Sequence, residues 1–86
     1  MLNNWICKKK GRELNVAIKN KKGVDHFYHD YGRWLRDMGI IIIYSELMPS
    51  IDGGCYLIRF YFRSTENFYL MARNKLLDMK SKFENE

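Results

Sequence analysis

The segment Cys55–Arg63, CYLIRFYFR, decides how this chain folds. Successive side chains of an extended strand point to opposite faces. Tyr56, Ile58, Phe60 and Phe62 therefore share one face, and Cys55, Leu57, Arg59, Tyr61 and Arg63 share the other. The first set is a core face. The second mixes aliphatic, phenolic and cationic groups, so it calls for a role other than simple burial.

Upstream, Asp52-Gly53-Gly54 reads as a hairpin turn, because primed turns need positive φ and glycine adopts it at little cost. Before it runs the β-branched strand Ile40–Met48, with Pro49 ending it or marking an edge. Pairing through Asp52-Gly53 sets Met48 against Leu57, Glu46 against Arg59, Tyr44 against Tyr61 and Ile42 against Arg63. On the other side Leu47 meets Ile58, Ser45 meets Phe60 and Ile43 meets Phe62. A different glycine turn shifts partners by two and preserves the faces. Helices are expected over Ile41, Ile43, Leu47, Tyr56, Ile58, Phe60 and Phe62. The face without helices is expected to show Ile40, Ile42, Tyr44, Glu46, Met48, Leu57, Arg59, Tyr61 and Arg63.

Two helical patterns supply the cover. Phe27, Tyr31, Trp34, Leu35 and Met38 form one apolar stripe, with Asp25 as the starting cap and Gly39 as the left-handed stop. Gly32 inside it costs about 1 kcal/mol against alanine, for which close packing on the sheet is one reason. Phe68, Ala72, Leu76, Met79 and Phe83 form the second stripe, capped by Ser64 or Thr65. The tail Glu84-Asn85-Glu86 is expected to fray.

At the other end, Asn4–Lys9 and Glu13–Lys19 read as two strands joined by a turn at Lys10-Gly11. The expected order is ββαββα: a single α+β domain over residues 1–86, a two-layer sandwich with both helices on one face of an antiparallel sheet. With the first strand set aside, βαββα resembles a ferredoxin-like sandwich lacking its final strand, whose place the N-terminal strand fills.

The chain has 86 residues and a net charge of +5. The excess is local. Lys8, Lys9, Lys10, Arg12, Lys19, Lys21 and Lys22 are offset only by Glu13, while the remaining positions carry eight basic and nine acidic residues. Such clustering is the footprint of a surface that faces a polyanion, or of a hairpin kept soluble by lysine. No apolar run reaches membrane-spanning length and no signal peptide is visible, so a cytoplasmic protein without membrane contact is expected. Two cysteines, Cys7 and Cys55, make no disulfide framework.

An enzyme is not expected. There is no phosphate-cradling glycine loop and no nucleophile elbow, and no cofactor is implied. His26 and His29, in DHFYHD, have a spacing that could hold a divalent metal, but no second ligand pair supports them; histidines at a helix start are usually solvated. Two binding readings remain. In the first, Tyr44, Glu46, Met48, Leu57, Arg59, Tyr61 and Arg63 form a protein-binding face or a homodimer contact, supported electrostatically by the basic hairpin. The size and the Lys-, Asn-, Ile- and Tyr-rich composition look like those of phage or mobile-element accessory proteins, so an inhibitor or adaptor acting on a nucleic-acid-handling partner fits this reading. In the second, Tyr44 and Tyr61 stack on bases of RNA or single-stranded DNA while Arg59, Arg63 and the lysines neutralise phosphates. The aromatic RNP1 pattern of RNA-recognition sheets is absent from YLIRFYFR. The bland alternative is that Trp5 or the N-terminal hairpin covers the face, leaving ordinary cross-strand pairs.

Overall fold

The computed structural model describes residues 10–86. They form β1 (Lys10–Lys19), α1 (Val24–Asp37), β2 (Ile42–Pro49), β3 (Cys55–Ser64) and α2 (Glu66–Glu84). The sheet is antiparallel with order β1-β3-β2, so the segment CYLIRFYFR is the central strand. One core cluster unites Leu14 and Ile18 of β1, Ile58, Phe60 and Phe62 of β3, Phe27, Tyr31 and Leu35 of α1, and Ala72 and Leu76 of α2. Both helices therefore cover one side of the sheet.

Among the described residues the order is βαββα, against the expected ββαββα. Lys10-Gly11 is no turn: both residues lie inside β1, paired with Ser64 and Arg63. The reason is geometric. β3 is ten residues long and offers a ladder partner for the whole of β1, and the phenol of Tyr61 lies across the open space over Gly11. A Cβ at position 11 would clash with the Tyr61 hydroxyl. The expected strand Asn4–Lys9 lies outside the described residues.

A second correction concerns the isoleucines of β2. Ladder pairs run as expected from Met48–Leu57 through Tyr44–Tyr61, but the next pair is Ile42–Phe62. Ile43 is an extra residue, a bulge that reverses the alternation upstream of it. Ile40 is consequently buried and Ile42 packs on the core, whereas Ile41 is 79% and Ile43 is 53% exposed. Parity counted from the turn gave the opposite assignment for all four.

Local chemistry explains where the elements begin and end. α1 starts at Gly23, in left-handed conformation (φ 95°) with no side-chain cap, and Asp25 lies in the first turn rather than capping it. Its end is a Schellman motif: Gly39 (φ 85°) donates to Arg36 O at 2.9 Å and Ile40 donates to Leu35 O at 3.0 Å. Met38, expected in the buried stripe, sits at this C-cap and is 36% exposed. The β2–β3 connection is Ser50–Gly54, longer than a two-residue turn. Only Gly53 has positive φ among its residues, and Asp52 Oδ1 accepts from Ser50 Oγ at 2.7 Å and from Gly54 N at 3.0 Å. Those bonds, Ser50 first, hold the Asp52 carboxyl below the usual range.

α2 is capped by Thr65, whose side chain accepts from Phe68 N at 3.4 Å. Phe68 is exposed, and Tyr69 takes its expected place against the core. The tail does not hang free. Lys21 Nζ donates to Phe83 O at 2.8 Å and to Glu86 O at 3.0 Å, while Glu84 accepts from the backbone of Lys19 at 3.0 Å. Tyr31 joins the helices by donating to Ala72 O at 2.6 Å, and the hydroxyls of Tyr28 and Ser45, 2.6 Å apart, join α1 to β2. Among the described residues, no helix is long and apolar enough to cross a membrane.

Candidate functional site

The sheet face opposite the helices carries Tyr44, Glu46 and Met48 from β2, Leu57, Arg59, Tyr61 and Arg63 from β3, and Glu13, Asn15 and Ala17 from β1. No described element covers it. Alternation puts them there: each strand sends every second side chain outward, and the registers align Asn15, Arg59 and Glu46 across the sheet. The seven sheet residues named from sequence are thus neighbours on one surface.

Arg59 stands at its centre. Its guanidinium reaches Glu46 Oε1 at 3.1 Å and Glu13 Oε1 at 3.9 Å, and its Nε donates to Asn15 Oδ1 at 3.0 Å. Asn15 in turn donates to Glu13 Oε1 at 2.8 Å, and Tyr44 donates its hydroxyl to Glu46 Oε2 at 2.6 Å. The bond to Glu46 pushes the Tyr44 phenol above its usual value, because ionising the phenol would remove the donated proton and set two anions together. The network therefore ties all three strands together through one cation and two carboxylates. Apolar surface flanks it: Met48 is 38% and Leu57 40% exposed. A shallow groove between Ala17, Met48 and Leu57 ends at Arg59.

Glu13 was missed by sequence reasoning. Its signal was available: it lies two positions from Asn15, on the same outward parity, but only the pairing of β1 with β3 brings both to Arg59.

The basic segment is less unified than the sequence implies. Lys8 and Lys9 lie outside the described residues. Lys10 and Arg12 stand near one end of β1, and Lys19, Lys21 and Lys22 at or beyond the other, about 30 Å away along an extended strand. Arg12 pairs with Glu66 and packs over the Tyr69 ring at 5.3 Å, and Lys21 is engaged with the end of α2. Of the described cations in this cluster, only Lys10, Lys19 and Lys22 project as exposed side chains without a structural bond in the fold. His26 and His29 are exposed on α1. Among the described residues, no group of three or more His, Cys, Asp or Glu is placed to hold a metal ion. Cys55 is a half-buried free thiol.

No family model matches this chain, and comparisons with curated proteins and with solved structures returned no match.

Proposed function

We propose that this chain is a non-enzymatic binding protein that receives a protein partner on the helix-free face of its sheet. The observation that carries the reading is the neutralised centre of that face. Arg59 already has two carboxylate neighbours, at 3.1 and 3.9 Å. A phosphate would have to displace them and meet their repulsion, whereas a protein surface can use the tyrosines, the apolar rim and the polar network together. The exposed Met48 and Leu57 favour the same class of partner, since aliphatic surface gains little from a sugar-phosphate chain. An inhibitor or adaptor acting on a nucleic-acid-handling enzyme is the narrower form of this proposal, with Lys10, Lys19 and Lys22 facing that partner's polyanion.

The strand order supports a further inference about architecture. β1 and β2 run parallel to each other and flank an antiparallel β3, the arrangement of three of the four strands of a ferredoxin-like sandwich.

The deciding experiment uses the Met48→Asp/Leu57→Asp variant, which alters two exposed rim residues. Immobilised wild-type chain should retain a protein from its own host at high salt, and the folded variant should lose it. Equal retention by both, or salt-sensitive binding of labelled single-stranded RNA or DNA in place of protein, would refute the proposal.

A further inference from the structure

The solvent side of α2, opposite the core, carries two exposed leucines one heptad apart, set in a stripe of small polar residues. Positions three and four apart read Asn67, Leu70, Asn74, Leu77 and Ser81, all exposed. The core side of the same helix is Ala72, Leu76, Met79 and Phe83. At 100° per residue the two stripes point in nearly opposite directions. Leu70 is 41%, Leu77 45% and the adjoining Met71 43% exposed. Single surface leucines are ordinary. Leucines at successive d positions form a short seam, and an Asn at the a position between them fixes the register of a pair at some cost in stability.

The charges beside these leucines fit a second copy in parallel. With Asn67 and Asn74 at heptad position a, Arg73 falls at g and Asp78 at e. In a parallel pair, g of one helix faces e of the other five residues on, so Arg73 meets Asp78 of the second copy, and the two-fold axis makes the contact twice. An antiparallel pair centred on Asn74 would set Arg73 against its own counterpart, with Glu66 and Lys80 of the same flank facing each other. Asp78 now holds only an exposed i,i+4 contact with Lys82 at 3.3 Å, which is readily exchanged.

We propose that a second copy of this chain pairs with α2 in parallel through Leu70, Asn74 and Leu77, with reciprocal Arg73–Asp78 contacts. Asn74 faces its own counterpart and can exchange side-chain amide hydrogen bonds with it. The seam from Asn67 to Ser81 is about 21 Å long, so the pairing is a weak, concentration-dependent one. Since the helices occupy one side of each sheet, the dimer is a stack of sheet, helices, helices and sheet. Both open sheet faces then point outward.

Sedimentation of the full chain over a concentration series tests this. A reversible dimer is expected, and Leu77→Asp should weaken it at least about tenfold while leaving the helical circular dichroism of the monomer intact. Arg73→Glu and Asp78→Lys should each weaken it, and the two together should restore it. The charge exchange decides the matter even where Leu77→Asp disturbs the fold. A chain monomeric up to about 1 mM overturns the proposal. So does a dimer that ignores the Arg73 and Asp78 changes, or one broken by Met48→Asp instead, which would place the contact on the sheet.

Discussion

Arg59 and Tyr31 show how single side chains divide the labour in this molecule. Arg59 is partly exposed, and its contacts with Glu13 and Glu46 lie in high dielectric. They order the sheet surface more than they hold the fold, because exposed ion pairs contribute only about 0–1 kcal/mol. Tyr31 is the opposite case. Its ring is fully buried, packs edge-on to Phe60 with centroids 5.1 Å apart, and its hydroxyl donates to Ala72 O. Tyr31→Phe removes one buried hydrogen bond and should lower stability by about 1 kcal/mol, measured by urea denaturation. The same residue predicts a pH effect. Burial raises the Tyr31 phenol well above its ordinary value, with a smaller contribution from Tyr69. The folded state thus prefers the neutral phenol. The stability linked to that preference is fully present below the pKa of the unfolded chain and is lost as pH rises toward the folded one. Tyr31→Phe should therefore flatten the loss of stability on the alkaline side, and an unchanged alkaline slope would contradict the burial account.

Among the elements, β3 was legible and β2 only in part. Alternation in CYLIRFYFR gave the strand, its two faces and its register with Met48, Glu46 and Tyr44, since a ten-residue strand with aromatic residues on one side has few other ways to bury them; its central place needed the pairing with β1. The four isoleucines at 40–43 carry no such contrast. All are apolar, so nothing in their order reveals that Ile43 is an added residue, and only the packing of Ile40 beneath the Schellman turn fixes which pair goes inward. The start of β1 was hidden for a related reason: Lys10-Gly11 has turn chemistry, and the ring of Tyr61, distant in sequence, is what makes glycine fit within a strand there. The site followed the same division. Its β2 and β3 members came from parity, while Glu13 needed the β1–β3 pairing, and the lysine cluster lost its unity because a strand spreads its ends. Gly32 offers a test at this scale. A methyl there would meet Phe60 at 3.6 Å, ordinary contact, so the helix does not require glycine for space. Gly32→Ala should stabilise the protein by about 1 kcal/mol through helix propensity, read as a higher urea midpoint with an unchanged slope.

For the molecule as a whole, contacts between parts far apart in sequence matter most, because the described three-stranded sheet and two helices enclose a small core. α1 and α2 meet through Tyr31, β2 and α1 through Tyr28 and Ser45, and the far end is held by Lys21. That ammonium group satisfies two carbonyls at the negative end of the α2 dipole and lies 5.0 Å from the Phe83 ring centroid. Lys21→Ala should destabilise by about 1–2 kcal/mol, and the loss should appear first as faster amide hydrogen exchange over the last turn of α2. Acetylation of the same lysine would do likewise. The added acetyl group abolishes the cation and leaves one amide N–H where an ammonium group served two acceptors. A neutral cap on Lys21 would thus act as an unlatching mark, loosening the last turn of α2 from the β1–α1 connection without touching the face proposed to meet a partner.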